Sequence, residues 1–400
     1  MKVAIVHDML VVYGGAERVL EHLLDLFPQA DLYSLIDFVP ASQRHFLRGK
    51  TPVTSFLQNI PGAARHYRKM LPLMPYAIEQ FDLSSYDLII SSSYCVAKGA
   101  LTGPNQTHVS YCHSPMRYAW DHYHEYLNEM NLTSGLKGLF ARWQLHRIRT
   151  WDVRSSNSVD QFVANSGFVA RRIQKFYGRS SQIIFPPVDT GFFSLQPDKQ
   201  DYYVAAGRLV PVKRLDLVAE AFSNMPERKL VIVGDGPEMA KIRSKAGPNV
   251  KLVGFQPGVA LHQYLANAKA LIFPSEEDFG ILPVEAQACG TPVLAFGRGG
   301  ALETVIAPGG PQAPTGMFFH EQSASSICEV VKAFEATSGA FDPVAISRHA
   351  QAFSIENFKS AISTSIHEAV GKYAPPWVNA QKNLDTKALQ PEMEWNVKAK

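Results

Sequence analysis

Short apolar runs alternate with helical patterns along most of the chain, and this alternation limits the possible folds more than any other feature. In the first half, the apolar runs are residues 2–7, 31–36, 87–91, 107–111 and 161–164. In the second half, they lie near residues 202–206, 230–233, 250–253, 270–273 and 292–295. Strands that alternate with helices form a parallel sheet with helices on both faces. The pattern therefore predicts an α/β protein with doubly wound parallel sheets.

Two domains are expected, because a chain of 400 residues exceeds the common length of one domain. The segment PPVDTGFFSLQPDKQ, residues 186–200, separates the two strand series and has the prolines, glycine and polar residues of a linker. We predict a first domain over residues 1–190 and a second over 191–355, facing each other across a cleft. A helix over 356–373 would pack back on the first domain, and a polar tail over 374–400 would be loosely held.

Composition and charge exclude several classes of protein. A net charge of +3 is too small to indicate nucleic-acid binding, which needs strongly clustered positive charge. No apolar run approaches the roughly 18 residues of a membrane span, so we expect a soluble or at most peripheral protein. The cysteines lack Cys-x-x-Cys spacing and indicate reduced, buried thiols in the cytoplasm; they are Cys95, Cys112, Cys289 and Cys328.

The stretch SEEDFGILPVEAQACG, residues 275–290, carries the most specific chemistry. Pro283 suits the first turn of a helix, so the preceding backbone N–H groups should be unpaired and form an anion site. Glu285 could merely stabilise the helix start through its dipole, but that reading does not explain Glu277. A ligand that joins a phosphate to sugars would use both features, the amides for its charge and the two carboxylates for its hydroxyls.

A second stretch, AAGRLVPVKRLD at residues 205–216, follows a predicted strand. Ligands in open α/β sheets bind at the carboxyl ends of the strands. Arg208 and Lys213 flank a proline turn there and could converge on one diphosphate. Taken alone, such a basic pair is more often a solvated surface.

Three further stretches are weak when taken singly. GDGPE at 234–238 is better explained as a structural turn, and VYGGAE at 12–17 lacks the Gly-x-Gly-x-x-Gly fingerprint of nicotinamide and flavin enzymes. In YCHSPMRYAWD, residues 111–121, His113 and Arg117 could point into the cleft. Neighbouring strand residues project to opposite faces, so Cys112 and His113 do not form a nucleophile and its base.

In combination, these stretches resemble the family 4 glycosyltransferases, retaining enzymes of the GT-B fold with two Rossmann-like domains. The resemblance is most specific in EDFGILPVEAQACGTPV at 277–293, which fits the family's Glu-x7-Glu pattern. It covers most of residues 1–370. Together, the segments HSPMRYAWD, EEDFGILPVEAQACGTPV and GRGGALETV are most similar to bacterial mannosyltransferases of O-antigen and exopolysaccharide synthesis. The resemblance implies a nucleotide-sugar donor, GDP-mannose or alternatively a UDP-sugar, and a saccharide acceptor that could be linked to polyprenyl diphosphate.

The resemblance also implies roles for individual residues. Arg208 and Lys213 would hold the donor diphosphate and stabilise the charge that develops on the leaving group. Glu285 would accept the ribose hydroxyls, and Glu277 would lie near the transferred sugar, which His113 would also contact. The remaining donor contacts would come from Gly14, Gly15, Phe255, Phe279, Gly280, Ile281 and Leu282, while Arg117 would assist at the acceptor.

No Asp-x-Asp occurs in the chain, so we expect neither a metal ion nor another cofactor. The segment 135–154 combines basic and aromatic residues and could rest on an anionic membrane, or it could be a buried helix with a solvated basic side. A second basic group could likewise contact an anionic membrane or form an ordinary solvated surface; it consists of Arg65, Arg68 and Lys69. Two other functions stay open at this point: another GT-B enzyme, such as a sugar-nucleotide epimerase, and a catalytically silent scaffold that binds nucleotide sugars.

Overall fold

A computed structural model describes residues 1–373, and these form two parallel α/β domains. The tail predicted over residues 374–400 lies outside the described residues. The two doubly wound sheets confirm the predicted fold class.

The first domain contains a seven-stranded parallel sheet in the order β3-β2-β1-β4-β5-β6-β7. Its strands are β1 (Val3–His7), β2 (Asp31–Ser34), β3 (Val53–Thr54), β4 (Leu88–Ser93), β5 (Thr107–Cys112), β6 (Gln161–Ala164) and β7 (Ser181–Ile183). Its helices are α1 (Gly15–Leu26), α2 (Ala63–His66), α3 (Met74–Ile78), α4 (Tyr123–Glu129), α5 (Gly135–Ser155) and α6 (Gly167–Tyr177). The sequence missed β3 and β7, two short strands at the sheet edges.

The second domain contains a six-stranded parallel sheet in the order β10-β9-β8-β11-β12-β13. Its strands are β8 (Tyr203–Ala206), β9 (Leu230–Val233), β10 (Val250–Leu252), β11 (Leu271–Phe273), β12 (Val293–Phe296) and β13 (Gly316–Phe319). Its helices are α7 (Leu215–Ser223), α8 (Met239–Lys245), α9 (Gly258–Asn267), α10 (Ile281–Ala288), α11 (Ala301–Thr304), α12 (Ala324–Ala336) and α13 (Pro343–Ala350). The sequence missed edge strand β13.

Helices cover both faces of each sheet, which explains why the central strands are buried throughout. All five residues of β1 are buried. Val3 and Ile5 pack in one hydrophobic cluster, and Ala4 and Val6 pack in another on the opposite face. Within residues 1–373, no helix combines the length and the apolar character needed to cross a lipid bilayer.

The last described helix, α14 (Ile355–Tyr373), returns to the first domain. Its buried Phe358 and Ile362 join the hydrophobic cluster that contains α1. Lys359 Nζ donates to Asp25 Oδ2 of α1 over 2.9 Å. The chain therefore crosses between the domains twice, and the two crossings meet at a parallel bridge between Val188 and Ser354.

A buried ion pair fixes α5 against the first sheet. Lys98 and Asp152 are 1% and 0% exposed, and Lys98 Nζ lies 2.7 Å from Asp152 Oδ1. Trp120 Nε1 and the Tyr177 hydroxyl donate to Asp152 Oδ2 over 2.8 and 2.9 Å. Removing one partner of a buried pair leaves the other charge uncompensated.

We therefore expect Asp152→Asn to destabilise the first domain by about 3–5 kcal/mol. The exposed pair of Asp201 and Lys269 supplies the control, since Asp201→Asn should cost no more than about 1 kcal/mol. Urea unfolding followed by far-ultraviolet circular dichroism measures the difference, because this signal reports the secondary structure of both domains. Equal losses in the two variants would contradict the assignment.

Candidate active site

The carboxyl ends of both sheets face a common cleft. Strand order reverses between β1 and β4 in the first domain and between β8 and β11 in the second. Ligands of open α/β sheets bind at such reversals. The loop with Gly14 and Gly15 follows β1, the loop with Arg208 and Lys213 follows β8, and the loop with Glu277 follows β11.

The start of α6 contacts the second domain directly. Gly167 N and Phe168 N donate to the Glu303 carboxylate over 2.6 and 2.8 Å. Ser166, the N-cap of α6, donates from its hydroxyl to the Asp278 carbonyl over 2.6 Å. A carboxylate at a helix N-terminus interacts favourably with the unpaired amides and the helix dipole. Glu303 therefore supplies across the cleft the partner that the amides of α6 need.

Asp278 forms a second link between the domains. Arg172 of α6 pairs with its carboxylate, and Arg117 Nη1 lies 3.8 Å from it. Arg172 also pairs with Asp121 at 2.5 Å. Burial raises the pKa of Asp278, and the two arginines oppose that shift. Arg117, predicted to assist at the acceptor, thus lies at the domain interface, beside the loop that carries Glu277.

Glycines allow close backbone contacts within and beside the loop that carries Glu277. Gly280 precedes α10 with φ +89°, a left-handed conformation that favours glycine. A Cβ at Gly300 would lie 2.3 Å from the Cα of Phe279, so that position has no room for a side chain. The Phe279 ring is itself buried against Phe185 and Phe353. Phe279 can therefore offer a ligand only its backbone.

Lys213 and Glu277 meet at the cleft. Lys213 Nζ forms an ion pair with Glu277 Oε1, and Ser275 Oγ donates to the same oxygen over 2.9 Å. The two charged side chains are 22% and 25% exposed, so they remain accessible from the cleft. Arg208 is exposed, and its side chain forms no hydrogen bond or ion pair with any other residue of 1–373. The structure therefore joins Lys213 to Glu277 and leaves Arg208 available to a ligand.

Glu285 is held from the opposite domain. Its side chain is 3% exposed and pairs with Arg18 of α1. Close by, a Cβ at Gly15 would lie 3.2 Å from Ile281 Cδ1 at the start of α10. The glycine loop of the first domain thus approaches the helix start that carries Ile281, Leu282 and Glu285, and a side chain in place of Gly15 would crowd the cleft.

The GDGPE turn supports the loop that carries Arg208. A Cβ at Gly234 would lie 1.8 Å from the Gly207 carbonyl oxygen, and both glycines have positive φ. Leu209 N donates to Asp235 O over 2.9 Å. Phe255, predicted to contact the donor, follows Gly254, whose carbonyl accepts from Gly234 N, and the Phe255 ring is 75% exposed.

His113 lies just beyond β5 on the edge that faces the second domain. Its Nε2 is 2.8 Å from Ser92 Oγ, and its ring packs against Tyr94 and Tyr111. Burial lowers the pKa of His113 to about 3, so the imidazole is neutral at neutral pH. A neutral ring offers one donor and one acceptor, which suits binding a hydroxyl better than acting as a general acid. Cys112 packs in a separate apolar cluster, away from this ring.

Several residues of the cleft were absent from the sequence analysis. Arg18 directly follows the Gly14-Gly15-Ala16-Glu17 sequence, so its position next to this loop could have indicated that it lies in the cleft. Asp278 stands inside the Glu277 motif, but nothing local shows that its partners are Arg172 and Arg117, more than 100 residues away. Glu303 follows the G-G-A-L sequence and likewise acts on a distant helix. Within residues 1–373, no group of three or more His, Cys, Asp or Glu side chains is arranged to hold a metal ion.

Each half of the chain matches one protein-family model. Residues 13–192 match the model for Glycosyltransferase Family 4, and residues 190–342 match the model for Glycosyl transferases group 1. D-inositol 3-phosphate glycosyltransferase of Mycobacterium tuberculosis (strain ATCC 25618 / H37Rv) is 28% identical over 249 residues, which are 54% of this chain and 50% of the relative. The same protein of Mycobacterium bovis gives the same values. The chain thus spans about half the length of the curated relatives it matches.

Solved structures share the fold at low sequence identity. Anabaena HepE in complex with UDP-glucose has a TM-score of 0.65 and 18% identity, with 92% of this chain and 100% of that chain covered. Sucrose-phosphate synthase from Thermosynechococcus elongatus has a TM-score of 0.69 and 17% identity, with 93% and 100% covered. This likeness shows the fold, two Rossmann-like domains in the GT-B arrangement.

The contact of Glu303 with α6 predicts a test of domain closure. Glu303→Ala removes two charge-assisted hydrogen bonds, which should make the closed arrangement roughly 1–3 kcal/mol less favourable. We expect a larger radius of gyration by small-angle X-ray scattering than for the unsubstituted protein. Glu329→Ala is the matched control, since Glu329 is exposed on α12 of the same domain. An unchanged scattering curve for Glu303→Ala would show that this contact does not hold the domains together.

Proposed function

We propose that this chain, whose two halves match glycosyltransferase family models, transfers a hexose from a nucleotide sugar to a saccharide acceptor. The observation that carries the proposal is the ion pair of Lys213 and Glu277 ahead of α10, together with Arg208, which shares the loop of Lys213 and has no side-chain partner within residues 1–373. Cations beside a helix N-terminus suit a diphosphate. A carboxylate at the same place suits the hydroxyls of a sugar.

Donor binding would rearrange the charges of the cleft. In the ligand-free protein, Lys213 neutralises Glu277, and Arg18 neutralises Glu285. A diphosphate would attract Lys213 and Arg208, which frees Glu277 to accept hydrogen bonds from the transferred sugar. The amides of Gly280, Ile281 and Leu282 would add fixed dipoles, and Glu285 would accept from the ribose hydroxyls. These groups oppose the charge that grows on the leaving diphosphate.

We propose GDP-mannose as the donor, because of the likeness of the HSPMRYAWD and GRGGALETV segments to bacterial mannosyltransferases of surface polysaccharide synthesis. A UDP-sugar is the second candidate, since the structurally similar HepE was solved with UDP and with UDP-glucose. Retention would follow from attack on the face that the phosphate leaves, with the departing phosphate accepting the acceptor's proton. This mechanism needs no carboxylate nucleophile, and Glu277 has no such role in it.

The acceptor would bind mainly on the first domain, and a surface of α5 supports a lipid-linked acceptor. Leu145 and Ile148 face the core, whereas four apolar side chains in the first half of α5 lie exposed. These four, which we name the α5 apolar face, are Leu136, Leu139, Phe140 and Trp143. Residues 130–151 contain no acidic residue and four cations, Lys137, Arg142, Arg147 and Arg149. Apolar and basic side chains on one helix suit an anionic membrane surface.

Two alternatives predict different products. A sugar-nucleotide epimerase would turn over the donor without an acceptor, whereas a transferase would show only slow donor hydrolysis. A silent scaffold would bind the donor and produce neither outcome. Product analysis with donor alone, followed by donor with lipid extract, separates the three functions.

Lys213→Ala tests the proposed diphosphate site. Thermal-shift measurements with GDP-, UDP- and ADP-sugars should identify the one nucleotide sugar that raises the melting temperature of the protein, because a ligand that binds only the folded state stabilises that state. Removing a charged hydrogen bond should weaken binding of that donor about tenfold to a hundredfold. Lys269→Ala is the control, since Lys269 precedes β11 at the opposite sheet edge. Equal affinity in Lys213→Ala would contradict the assignment.

Vesicle flotation tests the α5 apolar face. We expect the protein to float with vesicles rich in phosphatidylglycerol and to stay unbound with pure phosphatidylcholine. The double variant Phe140→Ser/Trp143→Ser should lose binding, because it removes buried apolar area at the membrane. Val344→Ser, which removes a 46% exposed side chain of the second domain, should bind normally. Absence of lipid-dependent flotation in the unsubstituted protein would remove the membrane proposal.

A further inference from the structure

A continuous line of four polar side chains crosses the interior of the first domain. Glu17 Oε1 lies 3.4 Å from His7 Nε2, and His7 Nδ1 lies 3.0 Å from Ser92 Oγ. Ser92 Oγ in turn lies 2.8 Å from His113 Nε2. His7 and Ser92 are fully buried, and Glu17 and His113 are 6% and 8% exposed. We name these residues the Glu17–His113 relay.

The sheet brings the relay together. β1 and β4 are adjacent parallel strands, and their register places His7 opposite Ser92. Glu17 is the third residue of α1, and its other carboxylate oxygen accepts from Gly14 N over 2.9 Å. One carboxylate therefore holds both the glycine loop at the cleft and the first member of the relay.

The partners of the relay determine where each proton lies when both imidazoles are neutral. An ionised carboxylate only accepts, so His7 carries its proton on Nε2 and presents a bare Nδ1 to Ser92. The Ser92 hydroxyl has one proton, which it donates to that nitrogen. Ser92 Oγ must then accept from His113 Nε2, which leaves Nδ1 of His113 unprotonated.

The free nitrogen of His113 is available to a ligand. Within residues 1–373, Nδ1 has no protein partner, and it is not among the buried polar atoms that lack one, so it reaches solvent. Asn165 Nδ2 donates to the His113 carbonyl over 2.9 Å, and the next residue, Ser166, contacts Asp278 of the second domain. The His113 backbone is therefore bound to a residue that directly precedes a contact between the domains.

We propose that Glu17, His7 and Ser92 are positioning residues that hold His113 with Nδ1 as a hydrogen-bond acceptor for a hydroxyl of the transferred sugar. The inference rests on the proposed function and adds a requirement to it. The sugar must present a hydroxyl proton to this nitrogen, and a deoxy sugar that lacks that hydroxyl would be a poorer substrate. Since Glu17 also accepts a hydrogen bond from Gly14 N, the same network fixes the position of the glycine loop relative to the His113 ring.

Nitrogen NMR of the ligand-free protein with ring-labelled histidine tests the proton positions without requiring turnover. The His113 signals, identified by their loss in His113→Asn, should show a protonated Nε2 and a bare Nδ1 at pH 7.5. In Ser92→Ala, the preference should weaken and a population protonated at Nδ1 should appear. A protonated Nδ1 in the unsubstituted protein, or an identical spectrum in Ser92→Ala, would overturn the proposal.

Kinetics separate positioning from a merely structural role. Ser91 is the matched control, because it is also buried on β4 and its hydroxyl lies 2.9 Å from Nε2 of another buried histidine, His108. Ser92→Ala should lower kcat for donor turnover roughly threefold to tenfold, the effect of a neutral hydrogen bond. Its affinity for the free nucleoside diphosphate, which carries no sugar, should not change.

Ser91→Ala and Ser92→Ala should lower the melting temperature by similar amounts, because each removes one buried hydrogen bond. Ser91→Ala should leave kcat unchanged. Equal kcat losses in the two serine variants would contradict the positioning role. If the unsubstituted protein turns over no nucleotide sugar, the proposed function fails, and the NMR spectrum still decides the proton positions of the relay.

Discussion

Three acidic side chains of the second domain, of which Glu285 is buried, are paired with groups of the first domain, and the geometry of the cleft depends on these contacts. Asp278 pairs with Arg172, Glu285 pairs with Arg18, and Glu303 accepts from the first amides of α6. A buried carboxylate without a partner is costly. Each of these contacts therefore favours a closed arrangement, in which the glycine loop faces the start of α10.

Closure leaves Lys213 and Glu277 as the charged pair that a ligand can separate. Both side chains are partly exposed and both belong to the second domain, so their separation does not break a contact between domains. The first domain adds a different kind of group, the neutral His113, whose orientation is fixed from behind by Ser92. Charge for a diphosphate and a neutral acceptor for a hydroxyl thus come from opposite sides of one cleft.

The sequence predicted the fold because strand burial leaves a local signal. Strands such as β8 and β9 are apolar and buried on both faces, and helices such as α1 show a clear buried face. The missed strands β3, β7 and β13 lie at the sheet edges, where partial exposure weakens the pattern. For the site, the motifs of Lys213 and Glu277 were visible in sequence, while Arg18, Arg172 and Glu303 act on residues far along the chain. Such pairs depend on how two domains meet, which no local pattern encodes.

The central claim is that Arg208, Lys213 and the amides at the start of α10 bind a nucleoside diphosphate without a metal ion. Isothermal titration calorimetry of the preferred nucleoside diphosphate, in excess EDTA and again with magnesium, tests this most directly. We expect dissociation constants that agree within about twofold, since the positive charge comes from protein side chains. A loss of affinity of about tenfold or more in EDTA, equal to roughly 1.4 kcal/mol, would contradict it.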